Sequence, residues 1–297
     1  MTGRRHMSLP STQILLRYLE EQKERGKNRI WLTQEAVDTL RALHSRPAAP
    51  ATPPAPLTQS KSTPATPKSN PAPQPAPTVS TAPSPAQNAD KQAQLDAIRT
   101  RAESAEAPRA LGTLRDTMVF AVGNPNADLV FVGEAPGSEE ERNREPFVGP
   151  AGQLLDKIIV AMGLQRADIY ISNICKFRPK IGDGQHQGMK NRKPEPQEMD
   201  SCVEFVREEI QVIQPKAIIA LGGTAMEGLL GISGSVSSQR GFWHQLDGIP
   251  VAVTYHPSYL LRNAAVSEKR KVWEDMLMVM EKIAMPVSEK QRRFFSK

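Results

Sequence analysis

Cysteine is almost absent from this chain: among 297 residues only Cys175 and Cys202 carry a thiol. Two thiols exclude a disulfide framework and any metal site built from four thiolates, and they suit a reducing compartment. No apolar run reaches the length a membrane span requires, and the N-terminus lacks the apolar stretch of a secretory signal, so a cytoplasmic protein with no membrane partner is expected. Aromatic residues make up only 5% of the chain, so an aromatic side chain set on a turn calls for a reason. Residues 46–90 contain none at all. That stretch is nearly all Pro, Ala, Ser, Thr, Gln and Asn and holds half of the 26 prolines, too little apolar surface to offset the entropy of ordering it.

The composition therefore divides the chain. Residues 1–45 form a small helical segment, with Ser11 and Thr33 as caps and Ile14, Leu15, Tyr18 and Leu19, then Val37, Leu40 and Leu43, at helical spacing. They fit either a docking module with a protein or DNA partner, or an extension that does not fold without packing. Residues 46–90 read as a disordered linker, residues 91–285 as the main folded domain, and residues 286–297 as a basic tail. The formal charge of +6 admits a polyanionic partner without proving one.

Within the domain, four β-branched stretches run straight into polar or glycine-rich turns: residues 128–134, 167–173, 216–222 and 250–255. Helical patterns separate or follow them, at 91–107, 152–162, 197–213, 224–230 and 267–283. This alternation predicts an α/β fold, a three-layer sandwich with a central, mostly parallel four-stranded sheet and helices on both faces. Ligands of such sheets collect beyond the carboxyl ends of the strands, where all the unusual residues fall.

Those residues carry a resemblance. Gly123-Asn124-Pro125, Gly133-Glu134-Ala135-Pro136-Gly137 with Glu140, Pro146-Phe147-Val148-Gly149, Ala151-Gly152-Gln153-Leu154-Leu155, Asn173 and the segment from His256 to Arg262 stand in order along the chain. Together they resemble the motifs of family 4 uracil-DNA glycosylases, over roughly residues 118–283. The resemblance implies the glycosylase fold and the hydrolysis of uracil from DNA to leave an abasic site, with uracil-containing DNA as partner; a monomer is expected because one flipped base needs one pocket.

Such a reaction needs a base pulled from the stack, identified, and relieved of negative charge as its glycosidic bond breaks. Phe147 offers a stacking face, and a core phenylalanine is its ordinary alternative. The Asn173 amide can donate to one carbonyl and accept from one ring N–H, which fits uracil and mismatches cytosine. His256, fixed by Pro257, can aim a ring N–H at uracil O2. Glu134 and Glu140 are the two catalytic carboxylate candidates, either of which could position water near the sugar C1′ and counter its positive charge. The resemblance carries over Glu134 as a contact of base and water together with the Gly133 turn, and Glu140 as a pocket wall near C5, although Glu139-Glu140-Glu141 also suits the first turn of a helix. Ser258, Tyr259, Leu260, Leu261 and Arg262 are the expected DNA contacts, the leucines as a wedge and Arg262 on a phosphate. The long loop at 180–193 carries Lys180, Lys190, Arg192 and Lys193 and exceeds the family's usual length; it either touches phosphate or is merely solvated.

The resemblance breaks at the cofactor. Family 4 enzymes hold a four-iron, four-sulfur cluster on four cysteines, whereas the corresponding positions here are Glu106, Arg109, Phe177 and Cys202, with Cys175 two residues away from the third. No cluster and no other metal is expected. That loss keeps open a binding module that recognises uracil or abasic DNA without turnover, and a glycosylase acting on another base such as hypoxanthine is a third reading.

Overall fold

The computed structural model describes residues 85–296, all within one compact unit, Pro77–Lys297. The expected N-terminal helices and most of the linker lie outside the described residues. Eight strands are present among the described residues: β1 (Leu114–Met118), β2 (Val122–Gly123), β3 (Leu129–Gly133), β4 (Tyr170–Asn173), β5 (Phe177–Pro179), β6 (Ala217–Leu221), β7 (Trp243–Leu246) and β8 (Ile249–Thr254).

The four predicted strands become β3, β4, β6 and β8. They pair in parallel in the order β4-β3-β6-β8. The sheet does not stop at four: β2 adds antiparallel to β4 and β7 to β8, giving six strands of mixed direction. Both additions evade the sequence pattern because one is only two residues long and the other, Trp243–Leu246, pairs through its backbone at a half-exposed edge. A separate ribbon pairs β1 with β5.

Continuous apolar strands make sense because both faces of the sheet are covered. Leu129, Phe131, Ile171, Ile219 and Ala252 pack against the helices Pro150–Met162 and Val266–Lys282. The alternate residues Val130, Val132, Ile218, Ala220, Val251 and Val253 pack against Pro85–Ser104, Val203–Ile213 and Gly223–Leu230. Phe131 is wholly buried, and cutting such a side chain to alanine costs about 3–5 kcal/mol.

Three boundaries differ from expectation. The helix expected over 197–213 is two, Pro196–Asp200 and Val203–Ile213, because the buried Cys202 leaves helical geometry and becomes the N-cap residue of the second. The helix expected from 91 begins at Pro85, inside the stretch read as linker, and the apolar anchors that hold it, Leu95 and Ile98, all lie downstream of that stretch. The basic tail is docked: Trp273 Nε1 donates to Gln291 O at 2.6 Å, Gln291 Nε2 to Ala161 O at 2.9 Å, and Phe294 lies against Trp273.

Candidate active site

The first parallel strand, β3, lies between β4 and β6, so the chain leaves it in opposite directions and opens a crevice at its carboxyl end. A cavity of about 590 Å³ occupies that crevice. Glu134, Glu140, Phe147, Asn173, His256, Ser258, Tyr259 and Arg262 all line it, so most residues singled out in the sequence meet at one place.

Phe147 is held under strain. Its φ is +55°, a region bulky residues seldom enter and one that costs on the order of 1–3 kcal/mol. The surroundings leave little choice. Glu140 Oε1 accepts from Val148 N at 3.1 Å and Gly149 N at 2.8 Å, and a Cβ on Gly152 would sit 1.8 Å from Phe147 O. The ring is buried, 5.6 Å from the His256 ring between centroids. Gly133 permits its meeting with Asn173, because a Cβ there would lie 2.4 Å from both Phe147 Cζ and Asn173 Oδ1.

Asn173 ends β4 opposite Gly133 in parallel register. Its Oδ1 is buried and has no hydrogen-bond partner, and leaving a buried acceptor unmet costs about 1–3 kcal/mol. A turn-capping asparagine would have used that oxygen locally, and this one does not.

His256 follows β8 as the N-cap residue of the helix Pro257–Arg262, and its side chain accepts from Ser258 N at 3.1 Å. Ser258 Oγ also lies 2.8 Å from Nδ1. A ring whose Nδ1 is an acceptor carries its proton on Nε2. Burial, assisted by the positive charge of Arg262, pulls the pKa down to about 4, so at neutral pH the imidazole is uncharged with a single N–H to offer.

The two carboxylates differ in what occupies them. Glu140 closes the N-terminus of the helix Ser138–Asn143 by accepting from Gly137 N at 3.1 Å, besides its bonds to Val148 and Gly149. It lines the cavity as a brace, with three backbone donors on its two oxygens. Glu134 receives Thr224 Oγ1 at 2.5 Å; burial raises its pKa, while Thr224, Lys193 and Arg262 act in the opposite sense. Thr224 stands in the sequence pattern only as the start of the helical stretch 224–230, and its tie to Glu134 spans 90 positions that no local pattern connects.

The expected wedge needs correction. The segment after His256 is helical rather than an open turn, so its side chains diverge: Leu260 is 5% exposed and packed inside, whereas Leu261 is 49% exposed. Leu260 is therefore not a surface contact. Ser258 is engaged with His256, and Tyr259 stacks on Tyr255 at 4.6 Å and donates to Glu268 at 3.1 Å. Arg262 lines the cavity and is exposed, and Leu261 next to it in the chain is exposed as well.

The positions that would hold an iron–sulfur cluster do not fit one. The Arg109 guanidinium lies over the Phe177 ring at 5.6 Å, and Cys202 is buried against Cys175, whose thiol is pushed well up by its hydrogen bond with Cys202 and by burial. Among the described residues no group of three or more His, Cys, Asp or Glu could hold a metal ion, and no helix is long and apolar enough to cross a membrane.

The same part of the chain is similar to known proteins. A family model described as the Uracil DNA glycosylase superfamily matches residues 120–277. A Type-4 uracil-DNA glycosylase of Thermotoga maritima is 40% identical over 166 residues, covering 54% of this chain and 81% of that protein. One from Archaeoglobus fulgidus is 33% identical over 159 residues, covering 51% and 75%. A Type-5 uracil-DNA glycosylase of Pyrobaculum aerophilum is 31% identical over 155 residues, covering 46% and 64%.

Proposed function

The chain belongs to the uracil-DNA glycosylase superfamily, and on that premise we propose how its cavity performs the reaction. The protein is a uracil-DNA glycosylase, a hydrolase of N-glycosyl bonds that removes uracil in DNA repair. Uracil turned out of the duplex enters the cavity and stacks on Phe147, a contact typically worth about 1–3 kcal/mol. Its N3–H meets the buried Asn173 Oδ1, and the Asn173 amide N–H meets O4. Cytosine has no proton at N3 and an amine at C4, so both contacts fail. The observation that carries this reading is the lone buried acceptor on Asn173 beside the Phe147 ring.

As the bond between N1 and C1′ stretches, electron density collects on the base and is shared by O2. His256 Nε2–H donates to that oxygen. Because the imidazole starts neutral and its other nitrogen is tied to Ser258, the donor is aimed before the charge appears, and such a preorganised donor is worth about 3 kcal/mol, or on the order of a hundredfold in rate. Glu134 is the carboxylate that orients water towards C1′ and faces the positive charge growing on the sugar; Glu140 keeps the Phe147 loop in place. Leu261 fills the gap left in the stack and Arg262 takes a phosphate.

No step requires a metal or cluster, and the protein works without the family's iron–sulfur centre, with Phe177 and Arg109 packed in its place. One flipped base needs one cavity, so the working unit is a monomer. The test is single-turnover incubation with labelled oligonucleotides bearing one uracil or one cytosine, followed by alkali to cut abasic sites. Uracil-specific cleavage that falls about a hundredfold in His256→Ala, with DNA binding retained, is the expected result; equal cleavage by the variant removes His256 from the chemistry.

A further inference from the structure

The loop between β5 and the helix Pro196–Asp200 is held by more internal bonds than its composition suggests. Its glycines and lysines read as a solvated excursion, yet it is pinned from inside. Gln187, 4% exposed, donates through Nε2 to Pro179 O at 2.8 Å and to Lys190 O at 3.0 Å, and accepts from Ile181 N at 3.2 Å. Arg178, 3% exposed, donates to Gly188 O at 2.7 Å and Lys190 O at 2.9 Å while Glu141 balances its charge at 3.1 Å. Arg192 is fixed by both oxygens of Glu198, at 2.6 and 2.8 Å. A loop held this firmly delivers its side chains to set positions.

One of those side chains reaches the base cavity. Asn191 lines it together with Gly137 and Glu140. Its Oδ1 accepts from Arg178 Nε at 2.9 Å, which settles which end of the amide faces inward. Gly137 opposite has no side chain, and a Cβ built there would stand 2.6 Å from Glu140 Oε2 and 3.1 Å from Asn191 Nδ2. The notch above Gly137 is thus closed by a side chain from a remote segment rather than by its own residue.

We infer that Asn191 is a specificity-determining residue: it walls the base cavity over Gly137 and limits which ring substituents the cavity admits. This rests on the reading of the cavity as a uracil pocket. With N3 and O4 read by Asn173 and O2 by His256, the ring edge left for another wall is C5–C6, and Glu140 has both oxygens committed to backbone donors, so it cannot retreat to make or deny room. Shortening the exposed Asn191 side chain takes the acceptor from Arg178 Nε but leaves that guanidinium its bonds to Glu141, Gly188 O and Lys190 O, which keep the loop pinned.

The experiment compares single-turnover release from oligonucleotides bearing uracil, 5-hydroxymethyluracil or thymine by the full-length native chain, Asn191→Ala and Asn191→Gly. Both variants are expected to raise the ratio of 5-hydroxymethyluracil to uracil release by about tenfold or more, the usual size of a discrimination resting on one small group in a pocket. A ratio unchanged in both, with uracil release intact, overturns the assignment of Asn191 as the wall. Failure of the native chain to release uracil overturns the uracil-pocket reading and this inference with it.

Discussion

The floor and the rim of the cavity are built on opposite principles. On the floor, Phe147, Asn173 and His256 stand at or beside the ends of buried strands and are fixed by their surroundings: Gly133 and Gly152 by absence of a side chain, Glu140 by its bonds to Val148 N and Gly149 N, Ser258 by its hold on Nδ1. At the rim, Leu261, Arg262 and Lys193 are exposed. Reading one base out of four needs groups that cannot move to suit the wrong one, and donors aimed at developing charge act most strongly when they need no reorganisation. Gripping a polyanion needs only charge within reach.

That contrast can be broken by substitution. After the loss in His256→Ala, the next largest effect is expected for Thr224→Val. Removing its hydroxyl takes away a bond that favours the Glu134 carboxylate, whose pKa burial already raises. The acidic limb of the single-turnover rate profile should move to higher pH while DNA affinity holds; an unmoved limb would detach Glu134 from the water. At the rim, Arg262→Ala should weaken binding uniformly and reduce the slope of log affinity against log salt by about one. A change in base preference instead would place Arg262 on the floor.

The last effect is on stability rather than on rate or binding. His256 has a folded pKa near 4 against about 6.5 when unfolded, so the unfolded chain binds the extra proton between those values. Its contribution to stability is complete above about pH 6.5 and is lost as the pH falls towards 4. Denaturation midpoints of the native chain and of His256→Gln, followed from pH 7 to pH 4.5, should therefore converge in acid; parallel curves would mean that the ring is not buried neutral.

Patterning placed each residue of the floor after an apolar strand or on a turn rich in glycine and proline, but the order of the motifs and their resemblance to a family singled out Phe147 and Asn173, for which a core ring and a turn cap are the ordinary readings. It also located the four parallel strands and their covering helices. It could not separate Leu260 from Leu261, since the division between inside and outside depends on the rotation of one short helix. Nor could it show that Asn191 reaches the cavity or that Thr224 holds Glu134, because the partners Arg178 and Glu134 lie 13 and 90 positions away. The β2 and β7 edges escaped for a related reason: a strand that pairs through its backbone without a buried run leaves no hydrophobic period to detect.

The most direct measurement is nitrogen NMR of histidine-labelled protein at pH 7, titrated with uracil. The expected result is a His256 ring that is neutral with its proton on Nε2, and an Nε2 resonance that shifts as uracil binds while the uracil H5 and H6 signals move upfield over Phe147. A charged ring, the opposite tautomer, or a His256 resonance indifferent to saturating uracil would contradict a pocket in which the imidazole and the aromatic ring share one pyrimidine.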